Sequence, residues 1–464
     1  MKKLASLLIF LSYYQLSADI TSTLTMRPLS TSPLFYTMND YSKKQSFIEG
    51  LPFHVGMYDS AHIARNIILN SKTTLIFDQQ GNGDLNPAWL NLMSSYSDAY
   101  YHSQVTFTPV QSQSGLFLHF YQQHKNFFVD IKTSIVNAVT QIKIEEYGTQ
   151  NGSQPGITNA LQAFTQPSWN YGKIGKPNQD VGLANIQILM GGSHQIARAV
   201  ESFEVYMGNF IVIEAPAGSG EGSPWLFGAE IGTNHWGLGF GNEFLMSSDS
   251  GMKFMIGGNY RFLLPAVETR SFDLIGCGQW SRYLSVQNLY GLPTAPETLG
   301  LPGINFFTQP AEIKGHSQLN MYTRLEQQIG KVACELSFNF FYTAPETIGD
   351  IHEMIPGYGI YAITGPGGGT GGVTTASKAR INQDTPILDP VGNPVELTSA
   401  MFDKASAAAN SYTTNTLNFN AQRVEENYVY GFGASIEVAQ SMGAISSWAV
   451  WAKFEYLFSN IDRN

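Results

Sequence analysis

From Trp448 to Phe458 the chain alternates. Trp448, Val450, Ala452, Phe454, Tyr456 and Phe458 form one apolar, largely aromatic face, while Lys453 and Glu455 point the other way. Successive side chains of a β-strand leave on opposite faces, so the segment predicts a strand with one oily face and one charged face. A span of about ten residues with aromatics at both ends of the apolar face fits a strand that crosses a bilayer. A soluble sheet uses the same alternation, so the rest of the chain has to decide.

The period of two recurs along most of the sequence. It is clearest at Gly115 to Gln123, Lys125 to Thr133, Val181 to Gly191, Ser202 to Glu214, Trp225 to Thr233, Trp236 to Met246 and Met252 to Leu264. It continues at Ser271 to Tyr283, Gln318 to Gln328, Lys331 to Tyr342 and Tyr428 to Ala439. Fainter alternations lie at Thr74 to Gln79, Ser103 to Thr108, Asn137 to Glu145 and Thr413 to Ala421. Together they predict an all-β fold, an antiparallel up-and-down transmembrane β-barrel of about 16 strands (roughly 14 to 18) over residues 74–464.

Connection lengths support the same reading, because such barrels have short periplasmic turns and long extracellular loops. Counting back from Phe458 puts Gln422 to Asn427, Ile329 and Gly330, Pro265 to Arg270, and Asn234 and His235 on the periplasmic side, all short. The long stretches Glu146 to Asp180, Asn288 to His316 and Ala344 to Tyr412 then lie outside, the last as a long extracellular loop. The 19–73 segment is less regular. Phe47 to Tyr58 reads either as a strand or as part of a plug, and its weak periodicity favours a luminal or periplasmic segment.

Met1 to Ala18 has a charged start at Lys2 and Lys3, a short apolar core and a small residue before Asp19, the pattern of a cleaved leader. Only 13% of residues are charged and 13% are aromatic, against roughly 25% charged in ordinary soluble domains. The mean hydropathy of -0.10 disfavours helical membrane spans and suits a barrel, whose alternating residues average out. A net charge of -10 without a basic patch argues against nucleic-acid binding.

Little in the chain points to catalysis or a cofactor. Cys277 and Cys334 are the only cysteines. Their parities put one toward the lumen and the other toward lipid on strands that are not neighbours, too far apart to bridge. The Gly365 to Gly372 tract lacks the Lys and Ser/Thr of a phosphate loop and reads as flexible loop. Beyond it, Asn393, Pro394, Leu397, Met401 and Ala405 predict a short capped helix. Gly237, Gly239 and Gly241 read as an inward strand face that leaves space in the lumen. His352 and Glu353 do not continue into a zinc helix, and His119 and His124 flank a turn without a metal-ligand pattern. No GxSxG elbow occurs, and the chain is read as a non-enzyme without cofactor or metal.

The positions opposite the apolar faces are the candidate site. They are Asp130, Lys132, Glu204, Glu230, Glu243, Lys253, Arg261, Asp273, Arg324, Glu326, Glu335, Glu437, Lys453 and Glu455. Facing lipid, each would cost up to a few kcal/mol near the midplane, so they are expected to line a pore. An open lumen with this acid excess would favour cations modestly; a closed one would carry the same charges as cross-lumen ion pairs. Trp225, Trp236, Phe244, Phe254, Tyr260, Phe262, Phe338, Phe340, Tyr428, Phe432, Trp448 and Phe458 are expected to form the lipid-facing girdles.

The assembled pattern resembles Gram-negative outer-membrane β-barrels of the porin and transporter type over nearly the whole chain. The stretch Asp180-Val181-Gly182-Leu183-Ala184-Asn185, followed after a further strand by Pro216-Ala217-Gly218, is weakly similar to barrels associated with phenol meta-pathway uptake. Those tend to show Gly-Leu-Gly-Asp and Pro-Thr-Gly there, so substrate does not carry over. The resemblance implies a bacterial outer-membrane pore or transporter for small solutes, gated by the 344–412 loop. Its partners would be outer-membrane lipids, the barrel insertion machinery and small solutes, with homo-oligomers as an option. A structural or surface-interaction barrel with a blocked lumen is the alternative, followed by a barrel-embedded hydrolase.

Overall fold

The computed structural model describes residues 41, 46–92, 100–149, 157–198, 203–218, 223–229, 231–290, 300–352, 354–361, 375–383, 387–389, 393–441 and 443–458. The leader at 1–18, the Gly365 to Gly372 tract, Glu230 and Glu353 lie outside these residues. Twelve strands form one closed antiparallel ring in which each pairs with its neighbours in sequence. They are β1 (Ser46–Met57), β2 (His102–His124), β3 (Phe127–Thr149), β4 (Ile186–Arg198), β5 (Phe203–Ala215) and β6 (Gly237–Ser248). The second half comprises β7 (Met252–Leu263), β8 (His316–Ile329), β9 (Val332–Thr343), β10 (Tyr412–Val424), β11 (Tyr428–Ala439) and β12 (Ser447–Phe458). Pairing of β1 with β12 closes the ring, from Ser46 opposite Phe458 to Met57 opposite Ser447.

Alternation sets which face each residue takes. On β12, Trp451, Lys453 and Glu455 are buried inside the ring, while Trp448, Val450, Phe454 and Tyr456 are exposed outside it. The other strands add Ile48, Leu118, Ile135, Ile211, Phe240, Ile256, Leu325, Leu336, Leu417 and Phe432 to the same outward belt. A belt of exposed apolar side chains around a closed ring, with every ladder satisfied inside it, is the solution a bilayer requires. At one end the connections are tight, and left-handed backbone at Lys125, Gly251 and Gly330 marks three of these turns.

Twelve strands replace the expected sixteen, for identifiable reasons. Ser103 to Thr108 and Gly115 to Gln123 are two parts of one 23-residue strand, β2, and Lys125 to Thr133 and Asn137 to Glu145 are two parts of β3. The alternation fades between those parts because Gln111 to Ser114 of β2 are polar on both faces and Val136 puts an apolar side chain on the inward face of β3. Trp225 to Thr233 and Ser271 to Tyr283 do not join the wall, and Thr74–Asp78 pairs with the projecting end of β2, outside the ring. Asn178–Leu183 likewise pairs with β3 outside it. Phe47 to Tyr58, expected as a luminal or periplasmic segment, forms a wall strand as far as Met57, whereas the faint Thr413 to Ala421 lies within β10. Without the two spurious crossings, 234–235 and 265–270 fall at the long-connection end rather than the short-turn end.

The long connections fold together over that end. Ile63, Leu75, Trp89, Phe164, Trp280, Phe307 and Phe402 belong to one buried apolar core drawn from most of these connections. Trp280 Nε1 donates to the Ile67 carbonyl at 3.1 Å, Tyr283 Oη to the Gly172 carbonyl at 2.8 Å, and the Asn86 amide to the Ile381 carbonyl at 2.8 Å. The expected helix at 393–405 is two 3-10 turns, Ser399–Met401 and Lys404–Ala407, the second capped by Asp403 rather than Asn393. Cys277 is buried in this cap, not in the lumen, and Cys334 is exposed on the outer face of β9; neither is in a disulfide. Burial pushes the Cys277 thiol up, which disfavours its thiolate.

The inward glycines of β6 do not leave open space. A Cβ on Gly241 would lie 2.5 Å from the Phe210 ring, and one on Gly239 2.1 Å from the Tyr260 carbonyl and 2.8 Å from Arg261 Cγ. The room they yield is taken by Phe210 and Arg261. Gly241→Ala is therefore expected to lower stability by about 1–3 kcal/mol, measured as a lower temperature of heat-modifiable gel mobility.

Candidate functional site in the barrel lumen

The inner face carries Asp130, Lys132, Glu204, Glu243, Lys253, Arg261, Arg324, Glu326, Glu335, Glu437, Lys453 and Glu455. Asp273 is not among them. It sits in the cap, where its carboxylate takes Arg282 Nε at 2.9 Å and Nη2 at 3.0 Å. Burial pushes the Arg282 guanidinium down and Asp273 more than restores it. Sequence reasoning missed Asp273's true place because Ser271 to Tyr283 imitates a strand.

Most of the inner charges are held by one another or by neighbouring hydroxyl groups. Lys132 Nζ lies 2.8 Å from Asp130, Asp130 2.9 Å from His119 Nε2, and His119 Nδ1 3.0 Å from Glu49. Glu49 lies 3.1 Å from Lys453 Nζ, which is 2.9 Å from Glu455. This unbroken chain of carboxylates and lysines, joined through His119, crosses β3, β2, β1 and β12, over the seam where the ring closes. Elsewhere Arg261 pairs with Glu214 and donates to Gln318 Oε1 at 2.6 Å, and Lys253 pairs with Glu326 at 2.8 Å. Tyr41 and Tyr322 both donate to Glu243, and Thr416 donates to Glu437 at 3.0 Å. Tyr206 donates to Glu204 at 2.7 Å, and Arg324 lies over the Tyr322 ring. Glu49, Glu214 and His119 lie at inward parity and were within reach of the sequence; Tyr41 carries no local signal.

One segment packs inside the upper lumen. Ala229 and Ile231 pack in a single buried cluster with the inward Leu51, Phe53, Phe117, Val136, Ala449 and Trp451. Thr140 Oγ1 donates to the Phe227 carbonyl at 2.8 Å. Asn185 holds the far side: its Oδ1 accepts from the Thr233 amide at 2.9 Å, and its Nδ2 donates to Thr233 Oγ1 and Glu214 Oε1, both at 2.6 Å. Asn185 is placed by a bulge. Between the pairs Ile135–Leu183 and Lys132–Gln187, four steps on one strand oppose three on the other. The 344–411 connection, expected to gate the pore, instead contributes Ile348, Ile360, Leu397 and Phe402 to the cap core.

The cap meets the wall at His235, Glu268, Arg270, His316 and Glu346. His235 Nε2 lies 3.4 Å from Glu268, Arg270 bridges Glu268 and, at 3.2 Å, Glu346, and the His235 and His316 rings meet edge to face. Burial pushes the Glu268 carboxyl up, but Arg270 and His235 outweigh it and hold it at about 2. Burial pushes His235 down, and Glu268 with the Leu264 carbonyl more than compensates, so its pKa is raised. Glu268 thus stabilises the junction fully above the unfolded carboxylate value of about 4.3 and stops doing so as pH falls toward 2. His235 contributes fully below about 6.5 and loses its share as pH rises through its raised value. Fluorescence of the cap tryptophans should therefore report loosening from about pH 4 down to 2, and Glu268→Gln should remove that acid limb.

No known protein family and no curated protein matches the chain. Among solved structures it is similar to an outer membrane channel from Pseudomonas putida F1, at 6% identity over 91% of this chain and 100% of that one, with a TM-score of 0.40. It is also similar to the translocator domain of the autotransporter NalP from Neisseria meningitidis, at 7% identity over 92% and 91% of the two chains with a TM-score of 0.28. The toluene transporter TodX from P. putida follows at 9% identity over 90% and 91%, with a TM-score of 0.27. Scores this low leave the barrel to rest on this chain's own ladders. Those ladders and the apolar belt define a membrane β-barrel of the outer-membrane type.

Proposed function

We propose that the protein is an outer-membrane channel for small solutes, closed in the state described, whose lumen opens when the segment around Ala229 to Thr233 withdraws. The long connections would face outward and the tight turns the periplasm. The wedge carries this reading. A discrete segment, rather than the wall, fills the upper lumen, and it is held by side-chain hydrogen bonds that can be exchanged for water. With most inner charges paired, ion selectivity is expected to be weak, with the acid excess favouring cations slightly.

Planar-bilayer conductance of the refolded full chain tests the proposal: brief, rare openings are expected. Absence of current both from the native chain and from an Ile231→Ala, Asn185→Ala variant that still inserts would sink it. The cap core favours a second reading, a surface-interaction barrel that never conducts, and the same absence of current would support that reading.

A further inference from the structure

We propose that His54, Ser114 and Asn137 form an acyl-transfer site on the outer face of the wall, directed at carboxylic esters of membrane lipids. The three residues form one row across neighbouring strands: His54 is opposite Ser114 on β1 and β2, and Ser114 is opposite Asn137 on β2 and β3. Their parity is that of Pro52, Leu116 and Ile135, which form the next outward row toward the middle of the belt; Leu116 and Ile135 are exposed. His54, Ser114 and Asn137 are thus a polar patch directly above Pro52, Leu116 and Ile135, between the exposed Val450 and Val181 of the same row. On this proposal the patch lies at the depth where lipid ester linkages meet water.

The row supplies the parts of a serine nucleophile. His54 Nδ1 lies 2.7 Å from Ser114 Oγ, the separation a general base needs. The Trp448 ring packs 5.4 Å from the imidazole and lies over Gly56, where a Cβ would be 2.8 Å from it. On the other side, Gln179 Nε2 donates to Asn137 Oδ1 at 2.9 Å, which occupies the amide oxygen and leaves the NH2 as the donor that Asn137 offers from the strand position opposite the serine. The pair escaped the sequence because the elbow motif belongs to a strand-to-helix turn, whereas here the groups are brought together by register between strands.

The reaction balances with water as the only co-reactant. Ser114 Oγ attacks the ester carbonyl carbon while its proton passes to His54, and the carbonyl oxygen takes the negative charge beside Asn137. Collapse breaks the bond to the alcohol, which leaves with the proton from His54. Water then attacks the acyl-serine, giving its proton to His54, and the fatty acid departs as Ser114 recovers a proton. Among the described residues no carboxylate pairs with His54, so turnover should be slow and covalent capture is the appropriate readout.

The refolded full chain in phosphatidylcholine vesicles is treated with an alkyl fluorophosphonate, and the modified peptide is mapped by mass spectrometry. Modification at Ser114 is expected, with complete loss in Ser114→Ala. His54→Asn should slow the labelling on the order of 100-fold and Asn137→Ala by about tenfold or more, with heat-modifiable mobility confirming that each variant is folded. No modification, modification at another serine, or an unchanged rate in a folded His54→Asn variant would overturn the proposal. None of these outcomes depends on whether the lumen conducts.

Discussion

Replacing Asn185 by alanine is expected to raise the open probability of the refolded barrel roughly thirtyfold. The substitution removes all three hydrogen bonds that join the bulge to Thr233 and Glu214. It leaves the Thr233 amide without its acceptor in a partly buried site, while Glu214 keeps Arg261. The loss to the closed state is about 2 kcal/mol, which converts to that ratio at about 1.4 kcal/mol per factor of ten. Asn185→Asp should open the barrel further, because its carboxylate would face Glu214. Single-channel recording is the measurement. An Asn185→Ala barrel that is folded and conducts with unchanged open probability would refute the latch while leaving the channel itself intact.

The second large effect is expected at the seam. Lys453 is the cation between Glu49 and Glu455, and its removal in Lys453→Met leaves two buried carboxylates facing each other without it. Breaking one side of such a buried network costs about 3–5 kcal/mol. The midpoint of heat-modifiable mobility should fall accordingly. Adding Glu49→Gln to Lys453→Met should restore part of the loss by removing one of the stranded charges, although His119 then loses a carboxylate partner. A single variant as stable as the native barrel would show that the chain of charges does not hold the seam.

Much of the wall was legible because alternation is a local property. The period of two over Trp448 to Phe458 survives unchanged in β12, and inward parity could be assigned to Lys453 and Glu455 without knowing their partners. Where a strand begins and ends relative to lipid is not a local property. Pro109 and Gly115 interrupt the pattern of β2, so one long strand was divided in two. Trp225 to Thr233 has a strand's alternation because it is buried on one side, but the surface it meets is Trp451 and Phe53 rather than a bilayer. Asn185 and Tyr41 were invisible for a different reason: their partners, Thr233 and Glu243, lie far away in sequence. The side of the lumen was readable; the contents of the lumen were not.

The pairing of β1 with β12 also dictates an order of assembly. The first wall strand cannot find its outer partner until the last one has been synthesised, so ring closure carries the largest loop-closure entropy in the molecule. The cap is later still. Its core joins Ile63 to Phe402 and Ala407 and draws on connections whose ends are held together only by finished hairpins. A chain interrupted before β12 would therefore present both an unpaired β1 edge and loose apolar connections, the two features that most invite aggregation in transit.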